Sequence, residues 1–214
     1  MDSIRTVWEF LVSGGIMMIP LAICSLIGMA VVLEKLYSLR AKKIIIPEIA
    51  STIVKIKNKE DVSTAITVCE LHPGPFAGIM LEVLNFRQLP KNEIKERVEE
   101  TGRHQVRRLE KGLVALETVA GVAPLLGLLG TVIGILRVFN VISEIGVGQA
   151  TALSGGISEA LITTIIGLSI GIPAVVFYNY FIDKAENLVL DIEKFSSDLI
   201  EKLKNMTAAD REAA

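Results

Sequence analysis

The sequence predicts an all-α integral membrane protein with three transmembrane helices and long cytoplasmic helical extensions. Three observations carry that reading. The chain of 214 residues is 51% hydrophobic yet 21% charged, and its mean hydropathy is +0.52. A soluble domain does not combine these values unless the two classes are segregated along the chain. They are segregated: charge is absent from 10–33, between Glu9 and Glu34, from 118–136, between Glu117 and Arg137, and from the stretch between Glu159 and Asp183. A helix needs roughly 20 apolar residues to cross the ~30 Å hydrocarbon core, and each window is long enough. The third observation is the placement of the cations. Lys35, Arg40, Lys42 and Lys43 follow the first window, Arg103, Arg107, Arg108 and Lys111 precede the second, and Lys184, Lys194, Lys202 and Lys204 follow the third. The link 138–153 carries no Lys or Arg. Cations accumulate on the cytoplasmic side, so the N-terminus is expected outside and the C-terminus inside.

The elements follow in order. Residues 1–11 are read as an outer interfacial helix, with Ile4, Val7, Trp8 and Leu11 on one face. Transmembrane helix 1 takes 12–39. The opening MDSIRTVWEF lacks the basic segment of a signal peptide, so the span is expected to be retained. A cytoplasmic helical region, 40–112, holds the turn HPGPF at 72–76. Its last helix repeats Ile94, Val98, Val106 and Leu109 and continues to Leu113 and Leu116 at helical spacing. No proline stands between Lys91 and Ala123, so this helix is expected to run unbroken into the membrane. Transmembrane helix 2 takes 113–141, an outer loop 142–151, and transmembrane helix 3 152–182. The tail 183–214 is a further cytoplasmic helix, its apolar face set by Leu188, Ile192, Phe195, Leu199 and Leu203.

Several function classes are disfavoured. A net charge of −2 leaves no nucleic-acid footprint. Cys24 lies in an apolar window and Cys69 in a charged one, so neither a disulfide nor a CxxC site is expected. His72 and His104 are isolated, no histidine lies in a span, and HExxH, GxSxG and paired intramembrane aspartates are missing. The chain is therefore not expected to be an enzyme, and no cofactor or metal is predicted.

The informative residues lie in spans two and three. Gly127, Gly130, Thr131 and Gly134 share one face of the second span. Glu159, Thr163, Gly167, Gly171 and Ala174 share one face of the third, with Thr164 beside it. Small stripes let helices approach closely in lipid, where packing replaces the hydrophobic effect. Folding the two spans about Gly146-Val147-Gly148 places Thr131 and Thr164 at equal height, with Glu159 about 7–8 Å further outward at 1.5 Å per residue. Each threonine can bond its own helix backbone or contribute to a polar path. Glu159 can hold a neighbouring helix as a protonated acid, or face a polar cavity, but it is not expected to face lipid. Arg137 is expected to reach the interface or to pair with Glu144.

APLLGLLGTVIGI (123–135) and ISEALITTIIGLSIGIPAVVFYNYF (157–181) resemble spans two and three of the MotA/TolQ/ExbB proton channel family, its ExbB/TolQ branch in particular. GGIMMIPLAICSLIGMAVVLEKLYSLR (14–40) resembles the first span. The resemblance implies a bacterial inner-membrane subunit, N-terminus periplasmic and C-terminus cytoplasmic, forming a homopentamer. The ring would surround the single spans of an ExbD- or TolR-like dimer, whose aspartate takes up and releases protons. Proton flow would then energise a TonB- or TolA-like protein, in TonB-dependent transport or in the Tol-Pal envelope system. A non-conducting membrane scaffold for the same partner is the alternative of another class. Carried over by motif, Thr131, Glu159 and Thr164 face the partner. Thr163, Pro124, Pro173, Gly127, Gly130, Gly134, Gly167 and Gly171 support them. Two positions depart from the pattern: Ile133 replaces an aromatic residue, and Arg137 stands where a neutral polar residue or histidine is usual. The MotA branch fits less well, because flagellar stators of that type have four spans.

Overall fold

The computed structural model describes residues 14–145 and 150–212, and these form helices joined by short turns, with no strand among the described residues. The expected interfacial helix at 1–11 and the turn glycines Gly146 and Gly148 lie outside them. The helices are α1 (Met18–Ser38), α2 (Ala41–Ile44), α3 (Pro47–Lys55), α4 (Lys59–Leu71), α5 (Pro75–Asn85), α6 (Lys91–Glu110), α7 (Leu113–Ile145) and α8 (Ala150–Glu212). Three of them, α1, α7 and α8, are long and apolar enough to cross a membrane. Helix α7 has 33 residues, about 50 Å at 1.5 Å per residue, so it exceeds the hydrocarbon thickness. It runs to Ile145 and α8 begins at Ala150, so helix continues well into the link where a loop was expected at 142–151.

The chain divides into two compact units. Residues 14–34 with 112–180 make the first, and 35–111 with 181–212 the second. In the first, the buried positions mix small residues, Ala120, Ala123, Ala160, Thr163 and Ala174, with Leu21, Leu113, Leu116, Val119 and Ile162. Large apolar side chains also point outward, among them Ile19, Leu26, Leu125, Leu136, Phe139, Leu161 and Ile172. An outer surface this apolar is what a lipid-facing or neighbour-facing bundle requires, since lipid is as apolar as leucine and only packing distinguishes the interior.

The second unit has an ordinary hydrophobic core. Leu188, Ile192, Leu199 and Leu203 of α8 are buried as their spacing predicts, with Ile49, Ile53, Phe76, Met80, Leu84 and Ile94. Phe195 meets Phe76 edge to face, ring centres 5.3 Å apart. Lysines here satisfy carbonyls at the end of α3 and in the turn that follows α5. Lys202 Nζ donates to Val54 O at 2.6 Å, and Lys204 Nζ to Arg87 O at 3.1 Å and to Leu89 O. An ammonium belongs at a helix C-terminus, where unpaired carbonyls carry partial negative charge. At the start of α4, Asp61 accepts from Lys57 N and Asn58 N at 2.8 and 3.0 Å. Those two bonds hold its carboxyl below the usual range.

The expectation of one unbroken helix from Lys91 into the membrane is corrected. Helix α6 stops at Glu110, and α7 starts at Leu113 after Gly112, whose φ is +93°. Only glycine adopts that left-handed backbone at no steric cost, so it ends one helix and starts the next. Lys35, 3% exposed, closes the end of α6 by donating from Nζ to Leu109 O at 2.8 Å.

Both cysteines are free, as expected from their settings. Burial pushes the Cys69 thiol up to about 11. At neutral pH its thiolate fraction is then roughly 100-fold below that of an exposed cysteine. Maleimide labelling of a Cys24→Ala chain should be slower than labelling of a surface cysteine by about that factor. Equal rates would show that Cys69 is open to solvent.

Candidate functional site

The two glycine stripes meet. A Cβ on Gly127 would stand 2.9 Å from Thr163 O and 3.1 Å from the Thr164 Cα. One on Gly167 would stand 2.6 Å from Ala123 O and 2.9 Å from the Gly127 Cα, and one on Gly134 would stand 2.8 Å from both Ala160 Cβ and Gly156 O. Gly130 packs directly on the buried Thr163 side chain, and Gly171 on the Pro124 ring. Pro124 has no N–H to give Ala120 O, and Gly171 lies beside that carbonyl. Pro173 sits in the interior of α8, exposed. The pairing of Gly127 with Gly167 and of Pro124 with Gly171 is the register inferred from folding the spans about their loop.

Within this frame the hydroxyls are largely committed. Thr164 Oγ1 donates across to Gly127 O at 3.0 Å, tying α8 to α7. Thr131 Oγ1 donates to Leu128 O of its own helix at 2.5 Å. Thr163 Oγ1 lies 2.9 Å from Ala160 O and 3.2 Å from Glu159 O. Each hydroxyl has one hydrogen and two lone pairs, so a threonine donating to backbone retains acceptor capacity. Thr131 and Thr164 are half-buried and Thr163 is buried, so the first two are the accessible acceptors.

Glu159 does not stand alone. Arg137 Nη1 reaches both of its carboxylate oxygens at 2.5 Å. The carboxylate is the inner member, 17% exposed against 50% for the arginine side chain. Gly15, at φ +66°, lies against the same carboxylate, where any side chain would collide. This corrects the expectation that Arg137 reaches the interface or pairs with Glu144. An unpaired Arg or Glu at membrane depth costs about 2.5–3.5 kcal/mol on the more lenient scale. Pairing the two offsets that cost. The signal was available, because the height rule that matches Thr131 with Thr164 places Arg137 within one residue of Glu159.

The structure thus brings Glu159, Thr163 and Thr164 onto one length of α8, with Gly127, Gly130 and Gly134 packed on that length from α7. Thr131 is bonded within α7, to Leu128 O, while Thr164 bonds across to Gly127 O. Among the described residues no group of three His, Cys, Asp or Glu side chains could hold a metal ion. The second unit has a groove of about 610 Å³, floored by Val98, Val106, Ile192 and Ile200, and none of the predicted path residues lines it.

Comparison with known proteins agrees with this geometry. The profile of the MotA/TolQ/ExbB proton channel family matches residues 74–194. A biopolymer transport protein named as an ExbB homolog, from Methanothermobacter thermautotrophicus, is 30% identical over 204 residues, covering 94% of this chain and 69% of the relative. The biopolymer transport protein ExbB of Aquifex aeolicus is 40% identical over 87 residues, 41% of this chain and 59% of its own length. The ExbB protein of Neisseria gonorrhoeae is 37% identical over 100 residues, 47% of this chain and 46% of its own. The profile covers more than half of the chain and includes the whole of α7 together with the membrane part of α8. The chain belongs to the MotA/TolQ/ExbB proton channel family, on its ExbB branch.

Proposed function

We propose that this chain is the proton-conducting subunit of an inner-membrane complex that uses the proton motive force to energise TonB-dependent transport. One observation supports it above others: two half-buried hydroxyl acceptors lie along a glycine-packed helix pair whose outer surface is apolar. Residues 145–182 contain one acid, Glu159, and it is already paired. The Thr131 and Thr164 hydrogens go to carbonyls, so the hydroxyls act as acceptors from a proton-bearing group. That group comes from another chain, an ExbD- or TolR-like single-span partner with a carboxyl group at this level. The apolar outer faces of α1, α7 and α8 suit a homopentamer in lipid, with α7 and α8 inward and α1 outward. A TolQ-like role in the Tol-Pal system uses the same ring. The non-conducting scaffold remains the second reading, favoured by the closed Arg137–Glu159 pair and the backbone-bonded threonines.

The experiment is proton flux into vesicles carrying the complex, purified from native membranes through a tag on this chain, under an imposed potential. The proposal expects flux that disappears when the partner is omitted. Assembly at native mass with no flux above empty vesicles would leave the scaffold reading standing. Topology is checked separately. In a chain lacking Cys24 and Cys69, cysteines at Val147 and Ser63 are expected to label from opposite sides of the membrane. Labelling of both from one side contradicts the N-out, C-in arrangement.

A further inference from the structure

Arg137 is the residue that the transport reading does not use. It lies eight residues before the end of α7, so it sits about 12 Å below that end at 1.5 Å per residue. Glu159 lies nine residues into α8, at a similar depth. One guanidinium nitrogen reaches both carboxylate oxygens, and the left-handed backbone at Gly15 closes over the same carboxylate. Three stretches of the first unit, the residues leading into α1, α7 and α8, therefore converge on one ion pair.

We infer that Arg137 is a positioning residue which holds Glu159 in a fixed, electroneutral pair, so that Glu159 is not a proton carrier in this chain. The inference rests on the transport reading above and narrows it. A carrier must alternate between carboxylate and carboxylic acid. Each time Glu159 took a proton, Arg137 would be left as an uncompensated charge at membrane depth, because arginine does not release its own proton. A pair that stays closed avoids that penalty in every turnover. Its contribution is mutual neutralisation: neither charge is left uncompensated where α7 packs on α8. In proton terms, the O–H bond of a partner helix's carboxylic acid breaks and a bond to water forms. No bond to a Glu159 oxygen is made at any stage.

Glu159→Gln alone does not test this, since it both removes an acid and orphans Arg137. The test compares the wild type, Arg137→Gln, Glu159→Gln and the double variant, each in the native complex. Proton flux and apparent melting temperature are measured in parallel. Each single change should lower flux by about tenfold or more and lower the melting temperature. The double variant should recover flux to within about threefold of wild type and recover the melting temperature. Arg137→Met with Glu159→Leu, an apolar pair of similar bulk, should behave as the neutral pair does. Double variants that assemble at native mass but conduct nothing would overturn the inference, since Glu159 would then have to titrate. So would failure of both double variants to assemble, because a pair acting through mutual neutralisation is replaceable as a unit. If the wild type itself conducts nothing, the transport reading fails instead. The melting temperatures still decide the pairing: coupled losses support it and additive losses overturn it.

Discussion

Gly167→Leu should abolish the folded complex. The glycine faces Ala123 O and the Gly127 Cα, where a Cβ would stand at 2.6 and 2.9 Å. Both obstacles are backbone, so no side-chain rotation relieves the clash and the two helices must separate. Overpacking a well-filled site typically costs about 1–3 kcal/mol, and rigid surroundings place this case at or above the upper end. Separation also breaks the Thr164–Gly127 bond and pulls Glu159 from Arg137, since all lie along the same contact. Gly102→Leu is the matched control, because a Cβ there meets nothing. Detergent-solubilised Gly167→Leu should elute as aggregate or melt far below wild type, while Gly102→Leu elutes normally. Wild-type melting of Gly167→Leu would mean that α7 and α8 do not touch through their glycines.

The second large effect concerns the hydroxyls. Thr131→Val with Thr164→Val keeps side-chain shape and removes both oxygens. The loss of the Thr164–Gly127 bond costs about 0.5–1.5 kcal/mol, which a bundle packed through the α7–α8 glycines should survive. A proton-bearing acid left without its acceptor costs about 1–3 kcal/mol. Placed on the transfer barrier, that slows flux roughly ten- to hundred-fold. The hydroxyl hydrogens are spent on Leu128 O and Gly127 O, so lone pairs are what these threonines have left to offer the proposed partner's acid. Serine at both positions restores the oxygens and should restore most of the flux.

The three spans were legible because membrane thickness imposes a length that charge-free windows reveal directly. The register of α7 against α8 was legible for a related reason: a tight link between antiparallel helices leaves one free parameter, and the glycine stripes fix it. The break at Gly112 was not legible. A single glycine within a helical repeat is tolerated in many helices, and only the backbone φ of +93° shows that this one turns. The Arg137–Glu159 pair was missed because sequence shows which residues share a height and not how two helices are rotated. Glu144 offered an acid on the same face of α7, but it lies seven residues and about 10.5 Å along the axis from Arg137, whereas Glu159 of α8 comes within bonding distance. Likewise the direction of each threonine O–H was not legible, because it depends on whichever carbonyl the packing brings within reach.

The central claim is that protons cross the membrane along the face where α7 and α8 meet. Proton flux through the partner-containing complex, compared between wild type and the Thr131→Val/Thr164→Val chain at equal assembled mass, measures that claim most directly. The expected result is robust wild-type flux and a ten- to hundred-fold loss, about 1.4–2.7 kcal/mol of barrier, in the double variant. Equal flux from both chains would show that these residues pack the helices and that the path lies elsewhere.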